Sequence, residues 1–258
     1  MKEQILKSKR VVLTRPDNSP LAQNLRELGA HVIELPLISV ELGAEKEAAD
    51  DVLANIACYE WMTFSSANGV RGFFAEFFEK YEDIRSIGPC RIACVGRATA
   101  EELKKFHIQT DVIPEVSTGD AMADAILAYE TIENLNILCV TGNLSDGAFA
   151  SKLEEKGRAI VDLLAAYKTS LVDLDPSSPA VRDFAENGAD AIFFASGSAV
   201  ESFAKNAAKL SLREGATHPK AFSIGPRCSE AMKKAGISVC AEAPDPSDVF
   251  EMLKGALA

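Results

Sequence analysis

Short runs of Val, Ile, Leu and Phe recur along the chain at about 10–14, 31–35, 60–64, 91–95, 111–113, 136–141, 159–163, 190–195, 220–224 and 237–240. Each has strand length and is bounded by small or polar residues, the pattern of strands buried in a parallel sheet. Between most of them lie stretches with apolar residues three and four apart, at 19–28, 68–79, 98–106, 119–129, 146–156, 198–210 and 227–235. That spacing predicts helices with one face on a core. Gly29, Gly157, Gly188 and Gly236 each follow a helical run, where a left-handed C-cap is expected. The alternation predicts parallel strands joined by right-handed helical crossovers. Two segments break the rhythm, LPLISVELG (35–43) and LLAAYKTSLVDLDP (163–176). Both read as extended connections.

The pattern repeats. FSSANGVRGFF (64–74) aligns with FASGSAVESFA (194–204) at an offset of 130, and IACVGRATAEELKK (92–105) with AFSIGPRCSEAMKK (221–234) at 129. More loosely, VLTR…LRELGAHVIEL (12–35) aligns with LCVTG…LEEKGRAIVDL (138–163). Three matches in one order at nearly constant offset predict two copies of one unit. The fold class expected is therefore α/β, with two doubly wound parallel-sheet domains of the flavodoxin or Rossmann kind, joined by two extended linker strands. The residues alone permit two contiguous repeats, 1–133 and 134–258.

Composition narrows the function classes. The 258 residues are 47% apolar and 25% charged with a formal net charge of −11, which excludes disorder and leaves no basic footprint for nucleic acid or an anionic membrane. No apolar stretch reaches the ~18 residues of a membrane span, and the polar first ten residues do not resemble an export signal. A cytoplasmic monomer is expected. Six cysteines without a CxxC pair read as buried free thiols, and His31, His107 and His218 show no zinc-ligand spacing.

In an open parallel sheet, ligands bind outside the carboxyl ends of the strands. Here those ends carry Thr14-Arg15-Pro16, Ser65-Ser66-Ala67-Asn68, Gly96-Arg97-Ala98-Thr99, Thr141-Gly142-Asn143, Ser196-Gly197-Ser198 and Gly225-Pro226-Arg227. Each hydroxyl or amide can serve simply as a helix N-cap; all on one edge of two sheets also suit a binding surface. That surface has no recurring His, Cys or carboxylate to pair a nucleophile with a base. Neither GxGxxG after the first strand nor GxxxxGK[ST] occurs, so nucleotide sites are unsupported. Hydroxyls, helix N-termini and the cations Arg15, Arg97 and Arg227 suit carboxylates. Tyr167, in AAYKT, is either a packing residue or, facing the site, a proton donor to a leaving oxygen.

The opening VVLTRP, then FSSANGV, VGRATAEEL, VTGN, AAYKT, FASGSAV and IGPRCSEAM occur in the order found in uroporphyrinogen-III synthases, and the chain resembles that family from about residue 10 to 254. It departs from the family pattern at Ser196-Gly197-Ser198, where Ser-Pro-Ser is frequent, and at Cys228, where Thr is common. The resemblance implies an enzyme of tetrapyrrole and heme biosynthesis, a cyclising hydro-lyase without metal or organic cofactor. Its substrate would be hydroxymethylbilane, an octacarboxylate linear tetrapyrrole, converted to uroporphyrinogen III with inversion of ring D through a spiro intermediate and loss of water. The resemblance also implies exchange of segments between domains, one of residues 1–36 plus 172–258 and one of 37–171, with linker strands at about 36–43 and 164–172. Thr14, Arg15, Ser65, Ser66, Asn68, Gly96, Arg97, Thr99, Thr141, Gly142, Ser196, Gly197, Ser198, Gly225 and Arg227 would bind the polycarboxylate, and Tyr167 would protonate the leaving hydroxyl. The alternative is a two-lobed small-molecule-binding module. A receiver-like phosphoacceptor lacks the acidic residues it needs at the early strand ends.

Overall fold

In the computed structural model, which describes residues 4–243 and 245–258, the apolar runs form β1 (Arg10–Leu13), β2 (His31–Glu34), β3 (Ile38–Leu42), β4 (Trp61–Phe64), β5 (Arg91–Cys94), β6 (Asn136–Gly142), β7 (Ile160–Leu171), β8 (Ala191–Phe194), β9 (Lys220–Ile224) and β10 (Val239–Ala243). The helices are α1 (Ser19–Glu27), α2 (Lys46–Ala54), α3 (Ala67–Lys80), α4 (Arg97–Lys104), α5 (Gly119–Tyr129), α6 (Ala148–Gly157), α7 (Pro179–Asn187), α8 (Gly197–Lys205), α9 (Gly225–Lys234) and α10 (Val249–Leu257). The fold is α/β with parallel sheets. Among the described residues no helix is long and apolar enough to cross a membrane.

Two compact units divide the chain, one running to Ser39 and resuming at Ser170–Ala258, the other Val40–Thr169. The first holds a sheet of order β10-β9-β8-β1-β2, parallel at every pairing. Counted along the chain, its strands lie in the order 2-1-3-4-5. The second sheet has the order β3-β7-β6-β4-β5, and Val112 forms a parallel bridge to Ala93 beyond β5. Starting the count at β6 gives the same 2-1-3-4-5 order for β6, β7, β4, β5 and the Val112 bridge.

The repeat in the sequence is thus not the unit in space. β1 and β2 come from the first copy, yet β1 pairs with β8 of the second (Val11↔Ala191). β6 and β7 come from the second copy, yet β6 pairs with β4 of the first (Trp61↔Ile137). Each sheet takes two strands from one copy and the rest from the other. The chain passes between units along β3 and β7.

Burial explains why the central strands are apolar throughout. β4 and β8 are buried at every position, as expected of inner parallel strands covered on both faces. Alternation sends their side chains to opposite cores. In the first unit, Val12, Ile192 and Phe194 enter one cluster, and Val11, Leu13, Ala191 and Phe193 the other. In the second, Met62, Phe64, Leu138 and Val140 face α3, while Trp61, Ile137 and Cys139 face the other layer. Phe73 and Phe74 of α3 pack on Phe64, Phe77 packs edge-on to Phe74, and Phe106 stacks on Phe74 at 4.3 Å between ring centroids.

Three expectations need correction. Gly157 is the last residue of α6, and the left-handed position falls on Arg158 (φ 54°). Gly157 is small for another reason: a Cβ there would meet Ile132 Cδ1 at 2.5 Å. Gly188 has a positive φ but an extended ψ of −157°, so it leaves the helix without a left-handed helical cap. The six thiols are all free, but only Cys94, Cys139 and Cys228 are buried, while Cys58 and Cys240 are exposed. Cys58 ends a short turn of helix, and Cys240 sits on an edge strand whose residues alternate outward.

Candidate functional site

The carboxyl edge of each sheet gathers the sequence-predicted residues of its own unit. In the first unit these are Thr14 and Arg15 after β1, Ser196, Gly197 and Ser198 after β8, and Gly225 and Arg227 after β9. In the second they are Ser65, Ser66 and Asn68 after β4, Gly96, Arg97 and Thr99 after β5, Thr141 and Gly142 closing β6, and Tyr167 late in β7. Helices α3, α4, α8 and α9 begin directly at these strand ends, so their first N–H groups and positive dipole ends lie at the edge.

The two edges are built alike. Ser66 caps α3, its hydroxyl accepting from Gly69 N at 3.0 Å, and Ser196 caps α8, accepting from Ala199 N at 3.1 Å. Ser65 Oγ donates to the carbonyl of Val140 at 3.3 Å, and Thr14 Oγ1 donates to that of Phe193 at 2.8 Å. Each bond ties the two central strands of its sheet together where they end. Thr14 is fully buried, so its hydroxyl is committed to this tie. Thr99 and Thr141 are also buried. Ser65, Ser66, Asn68, Ser196 and Ser198 are half-buried, and Arg15, Arg97 and Arg227 are exposed. Ser196 and Ser198 share a hydrogen bond of 2.9 Å.

The glycines have separate causes. Gly96 is buried, and a Cβ would meet Ser117 Oγ at 2.8 Å. Gly225 takes φ +67° with open space around it, so it is backbone conformation that requires a glycine there. Gly142 lies under the ring of Tyr167: a Cβ would come 2.4 Å from Cζ.

Several further polar groups near these edges carry no mark in the sequence pattern. Glu102, buried on α4, takes Arg71 Nε at 3.1 Å and Lys105 Nζ at 2.9 Å, and Arg71 Nη1 donates to Asn68 Oδ1 at 3.1 Å. Burial alone raises the Glu102 carboxyl, but the bonds from Arg71 and Lys105 outweigh it and hold it below its ordinary value. In the first unit the Ser223 and Ser229 hydroxyls bond at 2.6 Å, and Ser229 donates to Glu242. Asn18 precedes α1 without capping it; its Nδ2 donates to Arg15 O at 2.8 Å. Its Oδ1 is the one buried side-chain polar atom among the described residues with no partner. Asn18 lines a cavity of about 260 Å³ with Arg15, Asp17, Phe193, Ser247 and Phe250. Glu102 was invisible because a Glu at that helical spacing reads as a solvated face. Ser223 hides inside a strand.

These edges can bind anions through amides and hydroxyls. Among the described residues no cluster of His, Cys, Asp and Glu could hold a metal. Cys228, in the first turn of α9, has its thiol pushed up to about 11 by burial, a poor nucleophile at neutral pH.

The family model described as "Uroporphyrinogen-III synthase HemD" matches residues 19–251. The chain is 30% identical over 231 residues to a porphyrin biosynthesis protein HemD of Ruminiclostridium josui, covering 87% of this chain but 44% of that protein. It spans under half the length of that relative. A uroporphyrinogen-III synthase of Chlorobaculum parvum is 25% identical over 235 residues, covering 90% of this chain and 91% of the other. Among solved structures, a mutant uroporphyrinogen III synthase from the extremely thermophilic bacterium Thermus thermophilus superposes with a TM-score of 0.66 at 18% identity, over 96% of this chain and 97% of that one. The Helicobacter pylori enzyme gives 0.59 at 14%, over 96% and 99%. At those identities the structures speak to the fold alone.

Proposed function

The chain belongs to the uroporphyrinogen-III synthase family, and from that premise we propose that it cyclises hydroxymethylbilane to uroporphyrinogen III as a hydro-lyase, without metal or organic cofactor. The observation that carries this reading is the matched pair of carboxyl edges, each presenting helix N-termini capped by Ser66 or Ser196. We read the units as two flavodoxin-like domains, 1–36 plus 172–258 and 37–171, joined by linker strands. The parallel order 2-1-3-4-5 supports that reading.

The chemistry asks little of the protein as acid or base and much of it as a template. The pyrrole nitrogen of ring A pushes its lone pair through the ring, breaking the exocyclic C–O bond and leaving an azafulvene. Tyr167 donates its proton to the departing hydroxide, which leaves as water. The substituted α-carbon of ring D then attacks the exocyclic methylene, forming the spiro C–C bond. That ring's older C–C bond breaks to give a second azafulvene, and closure at the other α-carbon inverts ring D. Loss of that carbon's proton restores the aromatic pyrrole and reprotonates the tyrosinate.

Selecting the substituted carbon over the free one requires the linear substrate to be held bent, which is a positioning task. Each unit's carboxyl edge offers backbone N–H groups and hydroxyls that suit carboxylates. Each helix N-terminus contributes about 0.3–1 kcal/mol at the surface, so several acting together are needed. Arg15, Arg97 and Arg227 supply positive charge against a chain of net charge −11. The protein acts as a monomer in the cytoplasm.

Turnover tests the reading. With freshly prepared hydroxymethylbilane the chain accelerates ring closure well above the spontaneous rate. A two-lobed binding module would bind the substrate and leave that rate unchanged.

A further inference from the structure

β6 and β7 pair residue for residue from Asn136↔Ile160 to Thr141↔Ala165, then slip by one so that Gly142 stands opposite Tyr167. The extra residue is Ala166. Its side chain is fully buried, its carbonyl accepts from Gly43 N at 2.9 Å, and the backbone of Gly72 presses on that same carbonyl. The bulge is therefore held from outside, and such irregularities re-aim a side chain. Here the side chain is Tyr167. Its ring covers Gly142 so closely that a Cβ at 142 would lie 2.4, 2.7 and 2.8 Å from Cζ, Cε2 and Oη.

The next residue locks the strand carrying the ring. Asn143 N donates to Tyr167 O at 3.1 Å. The Asn143 side chain then extends the ladder where β6 has ended: Oδ1 accepts from Thr169 N at 2.7 Å, and Nδ2 donates to Thr169 O at 3.2 Å. The amide takes the place of the next peptide unit. Among the described residues nothing hydrogen-bonds the Tyr167 hydroxyl, so ring packing and the backbone clamp orient it.

We infer that Gly142 and Asn143 are positioning residues that seat and aim Tyr167, an inference that rests on the proton-donor role proposed for Tyr167 above. Gly142 supplies the bare backbone on which the ring lies. Asn143 prevents the strand from sliding or peeling beyond the bulge. A side chain at 142 lifts the phenol by about the length of a C–C bond, and a misplacement of roughly 1 Å near the chemistry costs on the order of 100-fold in rate.

The test combines kinetics with a signal independent of turnover. Gly142→Ala, Asn143→Ala, Asn143→Asp and Tyr167→Phe are compared with wild type, together with the double variant Gly142→Ala/Tyr167→Phe. The expected result is a fall in kcat of at least tenfold for Gly142→Ala, with KM within about threefold, and no further loss when it is added to Tyr167→Phe. Asn143→Ala loses less, and Asn143→Asp, which keeps the acceptor for Thr169 N, recovers part of it. In protein labelled with ¹³C at the tyrosine rings, the chain has four tyrosines, and the signal lost in Tyr167→Phe identifies Tyr167. That signal shifts in Gly142→Ala and Asn143→Ala while those of Tyr59, Tyr81 and Tyr129 stay in place. Should Gly142→Ala not fold, Asn143→Ala carries both readouts. An unmoved Tyr167 signal, or kcat losses that multiply in the double variant, overturns the inference. If the Tyr167 signal shifts as expected in Gly142→Ala and Asn143→Ala while the wild-type chain forms no type III isomer, the seat stands and the function assigned to it is refuted.

Discussion

The backbone of Gly72 in α3 lies directly on the carbonyl of Ala166 in β7: a Cβ at 72 would fall 1.9 Å from that oxygen and 2.8 Å from the carbonyl carbon. A mid-helix glycine ordinarily costs about 1 kcal/mol relative to alanine, so Gly72→Ala would stabilise the protein if there were space. There is none, and the obstacle is backbone. Gly72→Ala is expected to destabilise by about 1–3 kcal/mol, the usual cost of overpacking, seen as a lower urea midpoint at unchanged slope. A raised midpoint would show that α3 and β7 are not in contact here.

Dispersed anchoring predicts tolerance. Ser66 and Ser196 each cap a helix, and removing such a cap costs about 1 kcal/mol of stability. Ser66→Ala and Ser196→Ala should each lower kcat/KM by no more than about tenfold in a folded protein. The measurement is steady-state turnover alongside a thermal melt; abolished activity in a well-folded Ser66→Ala would place essential chemistry on that hydroxyl instead.

Glu102 makes stability depend on acid. Its carboxyl is held below the ordinary value of 4.5 by Arg71 and Lys105 against the opposing effect of burial. A group with a depressed folded pKa contributes stability that is fully present above its unfolded pKa and is lost as pH falls through the folded one. Wild type should therefore lose stability below about pH 4.5 more steeply than Glu102→Gln, while Glu102→Gln is the weaker protein at pH 7. The difference is expected to be modest, about 1 kcal/mol, because Arg71 is half-exposed and screened by solvent. Urea midpoints of both proteins at pH 4 and pH 7 decide it.

The thiols should sort by burial. Cys94, Cys139 and Cys228 are buried with thiols pushed up to about 11, 12 and 11, and the half-buried Cys90 is raised by burial to about 11. Cys58 and Cys240 are exposed. At pH 7.5, iodoacetamide is expected to modify Cys58 and Cys240 first, and the other four only after unfolding, as read by peptide mass spectrometry. Fast labelling of Cys139 in the native state would contradict its burial in the sheet.

Much of this was legible because parallel sheets write their plan into the chain. Buried strands such as ILCV and AIFF stand out as apolar runs, and small polar residues collect where they end, so the edges could be located from the pattern alone. The helices α2, α7 and α10 leave no such pattern in the chain. KEAADDVLA in α2 buries only Ala49, Val52 and Leu53, too short a stripe to set against the surrounding charge. Side-chain direction was also hidden. Thr14 and Ser65 look equivalent in sequence, yet Thr14 is fully buried and Ser65 half-buried. The slip that sets Tyr167 over Gly142, and the contact of Gly72 with Ala166, depend on strand register across distant parts of the chain, which no local pattern encodes. The pairing of β1 with β8 and of β4 with β6 is of the same kind: either arrangement of the two copies buries the same apolar strands.

The identity of the macrocycle formed tests the account most directly. Fresh hydroxymethylbilane is incubated with the chain, the products are oxidised to porphyrins, and the type I and type III isomers are separated and counted. A protein that holds the bent substrate by its carboxylates yields predominantly type III, with ring D inverted. A product that is type I in the same proportion as in the protein-free control would contradict it.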